Sequence, residues 1–201
     1  MQRFVCEQNI AHFARLLGEA TDPTLRRTLL TLLSSARREL ALLNSQLSGA
    51  NLSPVPPKRP SGDLESVINQ LRPSFETSEH AYMLLDPGPG LKIIDINDAY
   101  ARATLTNRRD VAGKPLFDVF PDNPAIDTAD GVSNLYESLS SVVETGQPHA
   151  MSVQRYDIRD ASGVFIERYW QPINTPIHDA DGRLICLLHH VEDVTAEVLA
   201  S

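Results

Sequence analysis

Cysteine is almost missing from this 201-residue chain: Cys6 and Cys186 are the only two, far apart and in no C-x-x-C pair. A disulfide framework and a thiolate metal site are therefore excluded, and both thiols read as free packing residues in a reducing compartment. Long apolar runs are missing too. Stretches such as Leu184-Ile185-Cys186-Leu187-Leu188 fall far short of the ~18–20 residues that cross a bilayer. Met1-Gln2-Arg3-Phe4 leads straight into Glu7, Gln8 and Asn9 with no apolar core. No secretory signal is read there, and a cytoplasmic location is expected. Basic charge is scarce, with 18 Lys+Arg against 26 Asp+Glu and a net charge of −8. Phosphate binding needs a basic surface, so nucleic acid is not expected as the main partner. The chain also lacks a G-x-S-x-G, an H-E-x-x-H and a phosphate-binding glycine loop, so no enzyme is read from it.

What is present suffices for a packed domain. A hydrophobic content of 42% with 22% charged residues is close to the globular average, which excludes wholesale disorder and a collagen-like fibre. The charge is unevenly spread, +4 over residues 1–62 and −12 over residues 63–201. The basic excess of the first part is thin, with Arg26-Arg27 and Arg37-Arg38 its only arginine doublets, and a solvated helix face explains it as well as an acidic partner.

Residues 1–47 read as a helical hairpin. Phe4, Ile10, Phe13, Leu16 and Leu17 recur at helical spacing, and Thr21-Asp22-Pro23 supplies a turn with an N-cap and a first-turn proline. The second helix carries a stripe of Leu25, Leu29, Leu32, Leu33, Leu40, Leu43 and Leu47. Two helices bury little surface alone, so the hairpin is expected to pack on a copy of itself or on the following domain. Residues 48–62 hold four prolines, two glycines and three serines, which is linker composition. The domain over 63–201 opens with a short helix (Leu64, Val67, Ile68, Leu71) expected to stop at Arg72-Pro73. Strand-like runs follow at 81–86 and 91–96, separated by the breaker Pro87-Gly88-Pro89-Gly90. Helical pieces cover 97–106, 108–111, 116–120 and 130–145, and three strands close the chain at about 150–158, 164–175 and 183–192. Ala161-Ser162-Gly163 and Asp179-Ala180-Asp181-Gly182 are hairpin turns. The order β-β, helices, β-β-β is α+β, with one antiparallel sheet and helices gathered on one side.

Five local signatures in that order resemble a PAS domain, the sensory module of bacterial histidine kinases and related signalling proteins. Asn97-Asp98-Ala99-Tyr100 is similar to the N-x-A-(Y/F) that opens the first inner helix, and Gly113-Lys114-Pro115-Leu116-Phe117-Asp118-Val119-Phe120-Pro121 to the step that follows. Gly163 with Arg168, Tyr169 and Trp170 matches the fourth strand, and Asp179-x-Asp181-Gly182 the last hairpin. Asp193-Val194-Thr195 is similar to the D-(I/V)-T that ends such cores. The resemblance covers residues 70–195, leaving the hairpin outside. It implies five antiparallel strands in the order 2-1-5-4-3 with helices enclosing a pocket. It further implies a sensor, a dimerisation module or both, with Asp193 and Thr195 coupling the sheet to a following helix. Asp193 and Thr195 are also good helix-start residues in their own right, ahead of Ala196-Glu197-Val198-Leu199-Ala200. The chain stops soon after, as a stand-alone module or a fragment cut before its output domain would. A homodimer, and a histidine kinase output domain or another signalling protein as partner, are expected on the same ground.

The resemblance leaves the ligand open. Light-sensing members use a cysteine near the second strand; residues 101–125 contain none, so a flavin–cysteine adduct is not expected. Haem-binding members often use a histidine on the long helix; residues 130–146 contain none, and His149 is the only nearby candidate. A strand-entry histidine is more often a surface or hydrogen-bonded residue, and haem is not expected. His189 and His190 point to opposite faces of a strand and cannot share one ion, while His178 is turn-side, so no metal site is read. Tyr156, Tyr169, Trp170, Gln171 and Asn174 are pocket candidates on neighbouring strands; alternation puts Tyr169 and Gln171 on one face and Trp170 and Asn174 on the other. In the competing reading the aromatics are core and the amides satisfy backbone. His12 lacks the acidic residue that directly follows a kinase phosphoacceptor histidine, so an interface role is expected for it. Asp95 and Asp157 are coupled to no base or nucleophile at recognisable spacing. The reading is a sensory module that relays ligand or partner binding to an output helix by a population shift, against a ligand-free adaptor that dimerises through its hairpin.

Overall fold

The computed structural model describes residues 2–47, 61–88, 90–126 and 128–200. Most of the expected linker, residues 48–60, therefore lies outside the described residues. Helices α1 (Gln2–Glu19) and α2 (Pro23–Leu47) form the expected hairpin. Asp22 Oδ2 accepts from the Leu25 amide at 2.9 Å as an N-cap. Arg26 Nη1 donates to the Leu17 and Ala20 carbonyls, both at 2.9 Å, and so satisfies the end of α1 from the start of α2. Cys6, Leu29, Leu33 and Ala36 are buried in the hairpin, whereas Leu25 and Leu32 stay exposed. Burial, with Glu39 alongside, pushes the Cys6 thiol pKa up. Helix α2 also packs along the long helix of the following domain.

Helix α3 (Ser61–Thr77) runs through Pro73, where the sequence suggests a stop. Proline removes one helical donor, and just beyond it the Ser74 hydroxyl donates to the Leu71 carbonyl at 3.0 Å. Phe75, on the extra turn, is buried with Leu84, Ile185 and Cys186, so apolar burial holds the turn that the proline weakens.

Strands β1 (Ala81–Leu85) and β2 (Ile93–Ile96) pair as a hairpin, followed by α4 (Asp98–Ala103), α5 (Arg108–Val111), α6 (Leu116–Val119) and the long α7 (Gly131–Thr145). The remaining strands are β3 (His149–Ala150), β4 (Gln154–Arg155), β5 (Ile158–Arg159), β6 (Phe165–Ile166), β7 (Tyr169–His178) and β8 (Leu184–Asp193), before a short α8 (Thr195–Leu199). The main sheet runs β2-β1-β8-β7-β3, with β4 also on β7. With β3 and β4 counted as one broken third strand, this is the expected 2-1-5-4-3 order. The break has a local cause. The pairs His149–Asn174 and Ala150–Ile173 give way to Gln154–Trp170, leaving an extra residue on the edge strand just past Pro172. Pro172 has no amide to donate, and it accepts from Met151 N at 2.9 Å instead. Further on, β5 and β6 extend the same hairpin as a separate two-stranded ladder. Its turn closes at Gly163, whose φ of +85° favours glycine.

Helices α4 to α7 cover the inner face of the sheet, whose core includes Met83, Leu85, Ile96, Leu116, Leu139 and Leu187. Helix α3 covers the other face through Leu64, Val67, Ile68 and Phe75 against Leu84 and Ile185. Fully buried Asn97 ties the two sides together. Its Oδ1 accepts from the Tyr82 and Tyr100 amides and its Nδ2 donates to the Phe75 and His80 carbonyls, at 2.8–3.0 Å. One side chain thus caps α4 and fixes the end of α3 against β1.

Candidate functional site: an inner cavity and the strand that leaves it

A cavity of about 50 Å³ lies between the inner face of the sheet and α4, α6 and α7. Its wall includes Tyr100 and Thr104 from α4, Leu116 from α6, Gly131 and Leu135 from α7, and Trp170 and His189 from the sheet. Alternation along β7 and β8 selects these residues. Trp170, Pro172 and Asn174 are buried while Gln171 and Ile173 are exposed, and His189 shares the inner face with Leu187 and Val191. Gly131 is required beside Tyr156, because a Cβ at that position would run into the Tyr156 ring. The Tyr156 hydroxyl donates to the Phe120 carbonyl, and the Trp170 indole donates to the Tyr156 carbonyl at 2.8 Å.

A buried polar chain leads from the cavity to the edge of the sheet. His189 Nδ1 faces Asn174 Oδ1 at 2.7 Å, Asn174 Nδ2 donates to Ser138 Oγ at 2.7 Å, and Ser138 Oγ meets His149 Nδ1 at 2.7 Å. Burial, with His190 adding to it, lowers the His189 pKa to about 3, so its imidazole is neutral at ordinary pH. Burial likewise raises Tyr100 and Tyr156, which stay protonated.

Of the five pocket candidates, Tyr156 and Trp170 line the cavity, and Asn174 stands one bond behind it through His189. Tyr169 and Gln171 lie on the opposite face of β7. His149 is exposed on the edge strand β3 and is not part of the cavity wall, and a space of about 50 Å³ has no room for a haem. His189 is the cavity histidine. Its signal in the sequence was the alternation that sends His189 and His190 to opposite faces, and His190 does pack outward on Tyr82. Cys186 is buried on the outer side of the sheet and Cys6 in the hairpin. Asp95 is held by Arg108, whose Nε and Nη2 each approach it at 2.5 Å, and Asp157 by Asn123 and Arg155. These are structural pairs. His12 is exposed on α1, 3.5 Å from Arg15. Among the described residues no group of three or more His, Cys, Asp and Glu could hold a metal ion, and no helix is long and apolar enough to cross a membrane.

Two connections leave the cavity wall. At the end of β8, Asp193 Oδ1 accepts from the Thr195 amide at 3.0 Å and from its hydroxyl. Thr195 Oγ1 in turn accepts from the Tyr169 amide at 2.9 Å, and the Val194 amide donates to the Tyr169 carbonyl at 2.9 Å. The start of α8 is therefore pinned to the residue beside Trp170. The second connection joins the hairpin to the loop ahead of α7. Arg38 donates to the Ala129 carbonyl at 2.9 Å, and its Nε lies 3.9 Å from Asp122 Oδ2. Burial pushes the Asp122 pKa up, opposed by its bond from Val132 and by Arg38.

A five-stranded antiparallel path with helices holding a small cavity against one face defines an α+β domain with an inner pocket. The sequence agrees: residues 75–199 match the family described as PAS fold, and the chain belongs to that family. Its role class is accordingly that of a signalling sensory or interaction module. Among solved structures, the LOV protein of Rhodobacter sphaeroides is similar at 14% identity and a TM-score of 0.50, over 65% of this chain and 68% of that one. The PAS domain of a protein from Colwellia psychrerythraea matches at 15% identity and a TM-score of 0.48, over 65% and 98%. At these identities the likeness is one of fold.

Proposed function

We propose that this chain is a sensory module of bacterial signal transduction that reads occupancy of its inner cavity and passes it to the helix after Asp193-Val194-Thr195. The observation that carries the reading is one covalent step long. Trp170 lines the cavity, and its neighbour Tyr169 holds Thr195 and Val194 through two backbone-anchored bonds. A ligand that shifts Trp170 must alter the geometry of that anchor, and the two arrangements then differ in how α8 departs. The expected setting is cytoplasmic, with a histidine kinase output domain or another signalling protein receiving the change. Catalysis forms no part of this reading. The test is Thr195→Val, which preserves volume and removes the acceptor for the Tyr169 amide. Signalling output should fall while the unfolding midpoint changes little; equal loss of both would sink the assignment.

A second reading draws on the hairpin. Phe4, Val5, Leu25 and Leu32 are exposed, with Phe4 at 62%, and an unpartnered apolar surface favours association. In this reading the chain is a dimeric adaptor and the cavity is incidental. Leu29 and Leu33 are buried within the chain, so polar changes there would damage the hairpin itself. Phe4→Ser with Leu25→Gln and Leu32→Gln is the cleaner test: the adaptor reading requires loss of both the dimer and all activity, whereas the sensor reading requires a retained response to ligand.

A further inference from the structure

The cavity wall carries no charged side chain, and most of its polar groups are already committed. Thr104 Oγ1 donates to the Tyr100 carbonyl, Gln154 is engaged by Asn134 and by the Ser152 carbonyl, and Tyr156 and Trp170 are bonded as described. Two groups are left over. Neither Nε2 of His189 nor the Tyr100 hydroxyl has a hydrogen-bond partner among the described residues, although both side chains are buried, His189 at 3% and Tyr100 at 4% exposure. Their rings meet edge-on with centroids 6.0 Å apart.

The buried chain decides which way His189 is polarised. Asn174 Nδ2 is turned toward Ser138 Oγ at 2.7 Å and Met151 Sδ at 3.6 Å, which leaves Oδ1 to face His189. An oxygen there can only accept, so Nδ1 carries the imidazole proton and Nε2 is a bare acceptor. Tyr100 supplies a donor. Whatever fills the space must give a proton to one group and take one from the other, and a single hydroxyl does both. An ion entering this wall would lose its water without a partner. Size sets the last limit: a cavity of about 150 Å³ is what benzene needs, and this one is about 50 Å³.

We propose that the cavity takes a small uncharged hydroxyl-bearing molecule, of short-chain alcohol size, whose O–H donates to His189 Nε2 and accepts from the Tyr100 hydroxyl. This rests on the cavity being the sensing site. The test is an NMR titration of the full isotope-labelled chain with two probes of equal size and similar shape, propan-2-ol and acetone. Acetone can accept from Tyr100 but has nothing to donate to His189. Propan-2-ol should shift the His189 and Tyr100 ring signals with a half-saturation at least about tenfold below that of acetone, since a site built for a hydroxyl rejects the analogue lacking it. The preference should shrink in Tyr100→Phe, which removes only the oxygen, and vanish in His189→Phe. Equal half-saturation by the two probes would overturn the hydroxyl assignment and leave the cavity reading standing. No shift at any cavity residue with either probe would overturn both, because the space would then hold water alone.

Discussion

At the scale of single residues, His189 combines near-complete burial with a neutral ring, and this has a measurable cost. Its pKa is lowered to about 3 by burial, while the unfolded chain takes up a proton near 6.5. Below that value the unfolded state binds a proton that the native state refuses, so stability falls as pH falls, by about 1.4 kcal/mol per pH unit, and is untouched above it. His190, held down by burial and by His80, adds to the same slope. Urea unfolding at about pH 7, 6 and 5 should show the slope in the native chain and a shallower one in His189→Gln. An unchanged slope would mean that His189 titrates normally. Gly131 gives a second prediction at this scale. Gly131→Ala drives a methyl into the Tyr156 ring, and overpacking of this kind costs about 1–3 kcal/mol in urea unfolding.

Asn97 was legible from the sequence as the residue that opens an inner helix and proves to do more, holding backbone groups of α3, β1 and α4 and the His80 carbonyl ahead of β1. His189 as a cavity group was not legible in that sense. Its direction followed from strand alternation, but its open Nε2 follows from Asn174, which is distant in sequence and reached only through the β7–β8 register.

Among elements, the order of strands and helices could be read because turns and alternation are local signals. Packing overrode those signals in two places. Pro73 reads as a helix end, yet Phe75 two residues further on is buried against the sheet and the helix continues. The third strand reads as one run, yet Pro172 on the neighbouring strand has no amide for it and the edge bulges. Docking of α2 on α7 had no local signal at all beyond an apolar stripe. Arg38 anchors it on Ala129 and Asp122, so Arg38→Ala should weaken the docked hairpin by about 1–2 kcal/mol. Hydrogen exchange would show it as faster exchange in α2 with the β1 and β8 amides unchanged; unaltered α2 exchange would mean that the leucine face alone holds the hairpin.

The whole molecule joins three parts: a cavity behind Trp170, a pinned start to α8, and a hairpin fastened to the loop that borders the same cavity through Phe120 and Gly131. The helical end and the hairpin are thus each bonded next to the wall of one small space. Coupling requires that occupancy of that space be felt at both. The most direct test follows backbone amide exchange across the full chain, with and without propan-2-ol. Protection should change at the Tyr169 and Val194 amides together with the cavity residues, and the Val194 part should be lost in Thr195→Val. Changes confined to the cavity wall, with Tyr169 and Val194 exchanging as before, would contradict it.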